Sequence, residues 1–113
     1  MTKRNAASQW HADVFTAADY ICCAEVHDPR CDGFADHAHH LVYKAHLRDE
    51  ARYLFANGLA VSTVCHALCH ASHNANVSQA RLDRAVAAVN KVQGHIPGFR
   101  IQPFFRKGLS GIF

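Results

Sequence analysis

The stretch NGLAVSTVCHALCHASHN, residues 57–74, decides the fold together with the histidine-rich DHAHHLV, residues 36–42. The two stretches contain six of the ten histidines and two of the five cysteines of the chain. Imidazole and thiolate are ligands for borderline and soft metal ions, and the ordinary pKa of imidazole lies near neutrality. Their crowding here predicts metal chemistry, proton transfer, or both.

Composition limits the class of protein. A chain of 113 residues, half of them hydrophobic and 19% charged, is typical of one globular domain. The net charge of +3 is compatible with a polyanionic partner and does not require one. Neither a signal-peptide core nor a long apolar run is present, so we expect a cytoplasmic protein, in which cysteines serve as metal ligands or free thiols before disulfides.

Hydrophobic periodicity predicts helices over residues 6–18, 47–56 and 79–93. Between the first two, β-prone residues on both sides of a turn-rich segment predict a hairpin-like region over 20–42, with its loop around 27–34. These elements predict an α+β fold, with its motif core at about residues 20–74.

Two further segments complete the chain. The short β-prone run GLAV precedes a helix that Ser62 or Thr63 can cap. The tail over residues 95–113 is apolar and basic, with no clear period. We expect it to pack against the body of the domain or against a second subunit, which would make a homodimer, and both possibilities stay open.

The helical sequence CHALCH presents ligands in two directions. Cys65 and Cys69 are four residues apart, and the same spacing separates His66 from His70. Residues i and i+4 share a face of a helix, whereas a step of one residue rotates the direction by about 100°. The thiols therefore point one way, the imidazoles point another, and two separate sites are predicted.

Two more ligands would complete a tetrahedral zinc site on the thiol face. The ends of the segment CAEVHDPRC supply candidates, and the predicted structural zinc ligands are Cys23, Cys31, Cys65 and Cys69. Cys22 is the alternative to Cys23, because neighbouring residues of a strand face opposite sides, and His27 can substitute for a thiol. The competing interpretation is that these cysteines are buried, small apolar residues.

On the imidazole face, the partner should come from the HAHH segment. One divalent ion held between a strand histidine and a helix histidine leaves positions open for phosphate oxygens and water. A second histidine that is not a ligand can then take a proton from the attacking water as a general base. Phosphodiester hydrolysis needs these two elements.

The chain resembles the HNH endonucleases over roughly residues 10–74, with the histidine and asparagine motif in 36–74. The resemblance lies in the order of five short segments: CAEV, RC, ADHAHHLV, NGLAV and CHALCH. This resemblance implies a small ββα-metal (His-Me finger) core with flanking N- and C-terminal helices. It also implies metal-dependent hydrolysis of DNA with one catalytic Mg²⁺, Mn²⁺, Ni²⁺ or Zn²⁺ ion. A histidine-rich site favours the transition metals.

The resemblance assigns roles to individual residues. His39 resembles the metal ligand on the strand, and His40 resembles the general base. Asn57 resembles the family asparagine, which orders the loop and the base or approaches the metal. His66 resembles the helix ligand, and His70 the additional helix histidine of the colicin-type nucleases.

The chain departs from the family pattern at the zinc. Members with a zinc ribbon have Cys-x-x-Cys before the helix histidine, but here Ser62 stands at the first position and only Cys65 remains. Cys69, one turn further along, could replace the missing thiolate. A second register is also open, in which Asp36 and His37 form the ligand–base pair, although the HHLV context favours the later pair.

Other residues carry weaker expectations. His73 is at best a phosphate contact, and three histidines are expected at the surface or in local hydrogen bonds: His11, His46 and His95. The basic residues that could meet the DNA backbone are Arg48, Arg52, Arg100, Arg106 and Lys107. The alternative function is a zinc-stabilised module that binds nucleic acid or protein without turnover, which would need neither Asn57 nor a second histidine beside the metal.

Overall fold

The computed structural model describes residues 3–94, with side chains from residue 6 onward. Within this range the chain forms three α-helices and one two-stranded antiparallel sheet, which is an α+β arrangement. None of the described helices is long and apolar enough to cross a bilayer. The elements are α1 (Lys3–Ala17), β1 (His37–His40), β2 (Gly58–Val61), α2 (Thr63–Ala71) and α3 (Gln79–Gln93), with short 3-10 turns at Lys44–His46, Asp49–Ala51 and Phe55–Asn57.

The sheet separates two layers of helix. Strands β1 and β2 pair with His39 opposite Leu59 and Ala38 opposite Ala60. Because successive side chains of a strand point to opposite faces, Leu59 joins the main core under α2 and α3, whereas Ala60 packs with Trp10 of α1. Helix α1 therefore covers one face of the sheet and the other two helices cover the opposite face.

Helix α1 lies very close to the start of β2. A Cβ atom added at Gly58 would collide with the Val14 side chain and come within 3.0 Å of the Trp10 ring. The indole nitrogen of Trp10 also donates a hydrogen bond of 2.9 Å to the backbone oxygen of Leu54. The absence of a side chain at Gly58 thus allows α1 to seat on the sheet.

Local sequence signals predict α1 and α3 closely. The helix predicted at 79–93 has those bounds, and the one predicted at 6–18 occupies residues 3–17. Of the two capping candidates, Ser62 is the N-cap of α2, and its side chain accepts a hydrogen bond from the backbone nitrogen of Cys65.

Two other predictions are wrong. The helix predicted over 47–56 is absent, and two 3-10 turns occur there instead, because the backbone is extended at Leu54 before it enters β2. The hairpin predicted over 20–42 is reduced to one bridge between Ile21 and Phe34. Strand β1 pairs instead with β2, and the backbone nitrogen of Cys23 donates to Ala60 of β2.

Candidate metal centres

Strand β1 and helix α2 bring three imidazoles together. The ligand nitrogens of His39, His66 and His70 all lie within 4.8 Å of one another. The Nε2 atoms of His66 and His70 are 3.2 Å apart. Two nitrogens bound to one tetrahedral zinc ion at the usual distance would be about 3.3 Å apart. The spacing of this imidazole cluster (His39, His66 and His70) therefore fits a single shared cation.

His39 is the buried member of the imidazole cluster, with 1% of its surface exposed. Its Nε2 atom lies 2.8 Å from Oδ1 of Asn74. Burial lowers the pKa of His39 to about 3, against the smaller opposing effect of the Asn74 hydrogen bond. The ring is therefore neutral at physiological pH, which is the form that binds a metal.

The other two rings open the cluster to solvent. His66 is half-buried, and its pKa is lowered by burial and then by neighbouring His37 and His70, while His70 itself is exposed. Beside them lies a cavity of about 180 Å³. Its lining includes His39, His40, Tyr43, Lys44, His66 and His70. An ion at the cluster would have an open side, as a catalytic site requires.

His40 lines the same cavity but makes different contacts. Its ring stacks on Trp10 with 4.3 Å between the ring centroids, and its Nε2 atom lies 3.0 Å from the backbone oxygen of Arg52. A carbonyl oxygen only accepts, so Nε2 carries the proton and Nδ1 keeps a lone pair. Burial lowers the pKa of His40, which favours this neutral form.

Asn57 ties the two strands together. Its side chain accepts a hydrogen bond of 2.7 Å from the backbone nitrogen of Val42 and donates one of 3.2 Å to the Val42 oxygen. Its own carbonyl accepts from the backbone nitrogen of Leu41. The residue is fully buried and closes the loop between β1 and β2. Of the two roles that the resemblance offers, these contacts fit the ordering of the loop.

A second cluster lies at the start of α2. The ligand atoms of Cys22, His27, Cys31 and Cys65 (the thiol cluster) all lie within 4.8 Å of one another. The Nδ1 atom of His27 is 3.4 Å from Sγ of Cys31 and 3.8 Å from Sγ of Cys65. In a tetrahedral zinc site, a bound nitrogen and a bound sulfur are about 3.6 Å apart. The thiol cluster could therefore hold a metal such as zinc.

The membership of the thiol cluster differs from the predicted set at two positions. Cys22 and His27, which the sequence offers as alternatives, lie where Cys23 and Cys69 are expected. The Sγ atom of Cys23 instead donates a hydrogen bond of 3.2 Å to the backbone oxygen of Ile21. Cys69 lies one turn further along the same helix face, is fully buried in the main core and does not belong to the cluster, and burial raises the pKa of its thiol to about 11.

Hydrogen-bond donors surround the sulfurs of the thiol cluster. The hydroxyl of Ser62 donates to Cys31 at 3.2 Å, and the backbone nitrogen of Gly33 donates to the same sulfur at 3.3 Å. The Ser62 hydroxyl is the main reason that the pKa of Cys31 falls to about 6. The backbone nitrogen of Asp28 donates to Cys65 at 3.4 Å. Ser62, which stands where a cysteine was expected, thus supports a ligand.

The alternative register, Asp36 and His37, lies beside the imidazole cluster. The carboxylate of Asp36 accepts a hydrogen bond from Thr63 at the start of α2. The ring of His37 stacks against His66, with 4.8 Å between the ring centroids. Neither residue belongs to the convergent set of three, whereas His39 of the later register does.

The remaining candidates belong to neither cluster or lie outside the described range. His11, His46 and His73 are exposed and belong to neither cluster. Arg52 forms an ion pair of 3.3 Å with Asp49. The exposed Arg48 guanidinium lies 3.9 Å from Glu50. The tail 95–113, its proposed dimer contact and four candidate residues fall outside the described residues: His95, Arg100, Arg106 and Lys107.

Compared with protein-family models, with curated proteins and with solved structures, the chain matches none. The two clusters are therefore the features of the chain that indicate a function. Asn74 was not among the candidate residues, although its side chain lies 2.8 Å from Nε2 of His39.

Proposed function

We propose that the chain is a metal-dependent endonuclease that hydrolyses DNA phosphodiester bonds. The observation that carries the proposal is one open cavity with a convergent set of three imidazoles and a fourth, His40, that has a different hydrogen-bond partner. The order β1, β2, α2 is compatible with the ββα-metal core that the HNH resemblance implies. We propose that the three elements form that core.

His39, His66 and His70 would hold the catalytic ion. A donor set of three neutral nitrogens suits Zn²⁺, Ni²⁺ or Mn²⁺ better than Mg²⁺, which prefers oxygen ligands. When bound, a divalent ion would stabilise the negative charge that develops on the phosphate and on the leaving oxygen. The role of the three side chains is to present convergent nitrogen atoms to the ion.

His40 would act as the general base. Its Nε2–H is engaged by the Arg52 carbonyl, so the proton of the attacking water would pass to Nδ1. The imidazolium that results keeps the same carbonyl as an acceptor, and the stacked Trp10 ring fixes the orientation of the imidazole. Asn57 would act as a positioning residue, since it closes the loop that carries Arg52.

The proposed substrate is DNA, bound through its backbone. Exposed Lys44 lines the cavity and would contact a phosphate next to the scissile bond. Phosphate contacts carry little sequence information, so we expect a weak sequence preference. We place the activity in the cytoplasm, since the thiol cluster needs reduced cysteines to bind metal.

The thiol cluster supports a second candidate function. Its four candidate ligands could form a complete structural zinc site without any help from the imidazole cluster. A zinc-stabilised module that binds nucleic acid or a protein without turnover would need no more than this. The neutral His40 beside an open cation site favours the nuclease.

A plasmid-nicking assay with added Zn²⁺, Ni²⁺, Mn²⁺ or Mg²⁺ tests the proposal. We expect His40→Ala to lower cleavage by about 10²–10⁴-fold, as the loss of a general base does, while metal binding persists. His40→Phe retains a ring to stack on Trp10 and should be equally inactive, which separates the loss of the base from the loss of packing. His46→Ala, which removes an exposed histidine, is the matched control and should cleave normally.

Equal cleavage by the parent and by both His40 variants would exclude His40 as the base. A parent protein that binds DNA but never cuts it, with any of the four metals, would support the binding module instead.

A further inference from the structure

We propose that Asn74 is a positioning residue that fixes the tautomer of His39 and so presents the Nδ1 atom of that ring to the catalytic ion. This inference deepens the proposed function, since it concerns the same ion site. The residue lies in the turn after α2, and its side chain reaches β1.

The orientation of the Asn74 amide follows from its second partner. The Nδ2 atom of Asn74 lies 2.9 Å from the backbone oxygen of Leu41. A carbonyl oxygen only accepts, so the NH₂ group of the amide must face Leu41. The amide oxygen is then the atom that faces His39, at 2.8 Å from Nε2.

The tautomer of His39 follows from that orientation. The amide oxygen cannot donate, so His39 Nε2 must carry the proton of the neutral ring. The lone pair of the ring is left on Nδ1, and this atom is the one available to a metal ion. A hydrogen bond to the second nitrogen is the usual way in which a protein fixes the metal-binding nitrogen of histidine.

The backbone holds Asn74 in the position that this role requires. Its φ is +66°, in the left-handed region that asparagine adopts more readily than most residues. Its backbone nitrogen donates a hydrogen bond of 2.8 Å to the backbone oxygen of Cys69, and its backbone oxygen accepts one of 3.0 Å from the backbone nitrogen of Val77. Asn74 is also fully buried. It therefore connects the end of α2, which carries two of the imidazoles, to the strand that carries the third.

The test compares Asn74→Leu with Asn76→Leu. Leucine at position 74 has a similar volume but cannot accept a hydrogen bond from His39. Asn76 serves as the control, because it is a buried asparagine in the same turn whose amide donates to the backbone oxygen of Cys65 rather than to His39. The readouts are the protonated nitrogen of His39, from long-range ¹H–¹⁵N spectra, and the affinity of the imidazole cluster for Ni²⁺, from calorimetry.

In the parent protein and in Asn76→Leu we expect the proton of His39 on Nε2. In Asn74→Leu we expect a mixture of the two tautomers and Ni²⁺ affinity lower by about 10–100-fold, the usual effect of losing such a partner. Similar losses of thermal stability in the two variants would show that the differences in tautomer and in Ni²⁺ affinity are not caused by general destabilisation.

Three results would overturn the inference: a proton on Nδ1 in the parent protein, an Asn74→Leu variant with unchanged tautomer and affinity, or no Ni²⁺ binding at the imidazole cluster. The parent spectrum decides the tautomer even if the variant does not fold. Neither readout depends on cleavage. A fixed tautomer with Ni²⁺ binding but no nicking would reject the nuclease alone, whereas nicking with an unfixed tautomer would reject the role of Asn74 alone.

Discussion

The thiol cluster and the imidazole cluster use neighbouring residues of one helix, Cys65 and His66. They differ in the number and type of their candidate ligands and in what surrounds those ligands. The thiol cluster has four candidate ligands, and its sulfurs accept hydrogen bonds from surrounding donors. The imidazole cluster has three candidate ligands and an adjoining cavity. Four protein ligands are typical of structural zinc, and three with an open position are typical of a catalytic ion.

Cys31 and His39 show two opposite ways of favouring the deprotonated form of a candidate ligand, whereas burial raises the pKa of the Cys65 thiol. Hydrogen-bond donors stabilise a negative charge on Cys31 and lower the pKa of its thiol to about 6. Burial disfavours a positive charge on His39 and lowers the pKa of that imidazole to about 3. A metal ligand must have lost its proton in both cases. A nearby hydrogen-bond donor favours the thiolate of Cys31, whereas burial favours the neutral imidazole of His39.

The largest expected effect separates two thiols that lie one turn apart on α2. Both Cys65 and Cys69 are fully buried, but only Cys65 belongs to the thiol cluster. We expect Cys65→Ala to lose the bound zinc and with it the cooperative thermal transition, because structural zinc contributes directly to folding. Zinc content per chain and a melting curve measure the effect.

Cys69→Ala is the matched control for that experiment. It should keep its zinc and lose about 1 kcal/mol of stability, as expected when a small buried group is deleted. If Cys69→Ala released the zinc instead and Cys65→Ala retained it, the ligand set given above for the thiol cluster would be wrong.

A chelator titration should separate the two clusters in one sample. The imidazole cluster offers three neutral ligands and is open to solvent, so we expect a weak chelator to remove its ion first and to abolish DNA cleavage while the far-ultraviolet circular dichroism is unchanged. A stronger chelator should then take zinc from the thiol cluster and unfold the chain. If DNA cleavage and the helical circular dichroism signal were lost at the same chelator concentration, the two clusters would not have separate functional and structural roles.

Parts of this arrangement could be predicted from local sequence because their causes are local. The periodicity of Leu82, Val86 and Val89 predicts α3, and the i, i+4 spacing of His66 and His70 places both on one face of α2. Neither inference needs a partner from elsewhere in the chain.

The errors have causes that are distant in sequence. Whether Cys22 or Cys23 faces the thiol cluster depends on the hydrogen bond from Cys23 to Ala60 of β2, which no local pattern reveals. Cys69 lies on the same helix face as Cys65, as its spacing predicts. Its place in the core is set by packing with β2 and α3. The contact between Asn74 and His39 spans 35 positions of the chain and has no sequence signal of its own.

The smallest expected effect concerns the pH dependence of folding, and it tests whether burial keeps His39 neutral. The unfolded chain has a histidine pKa of about 6.5, against about 3 in the folded protein. Between these values the unfolded chain binds a proton that the folded chain does not. The stability that neutral His39 contributes is therefore full above pH 6.5 and declines as the pH falls towards 3.

From pH 7 to pH 5.5 this linkage should remove about 1 kcal/mol of the free energy of unfolding. Urea unfolding of the parent and of His39→Gln, without added divalent metal, measures it. Glutamine retains an amide donor for Asn74 and does not titrate, so its stability should fall by about 1 kcal/mol less over the same interval. Contributions from the thiol cluster are common to both proteins and cancel in the difference. Equal losses would mean that His39 takes up a proton in the folded state as easily as in water. The imidazole cluster would then lack the water-excluding environment that distinguishes it from the thiol cluster.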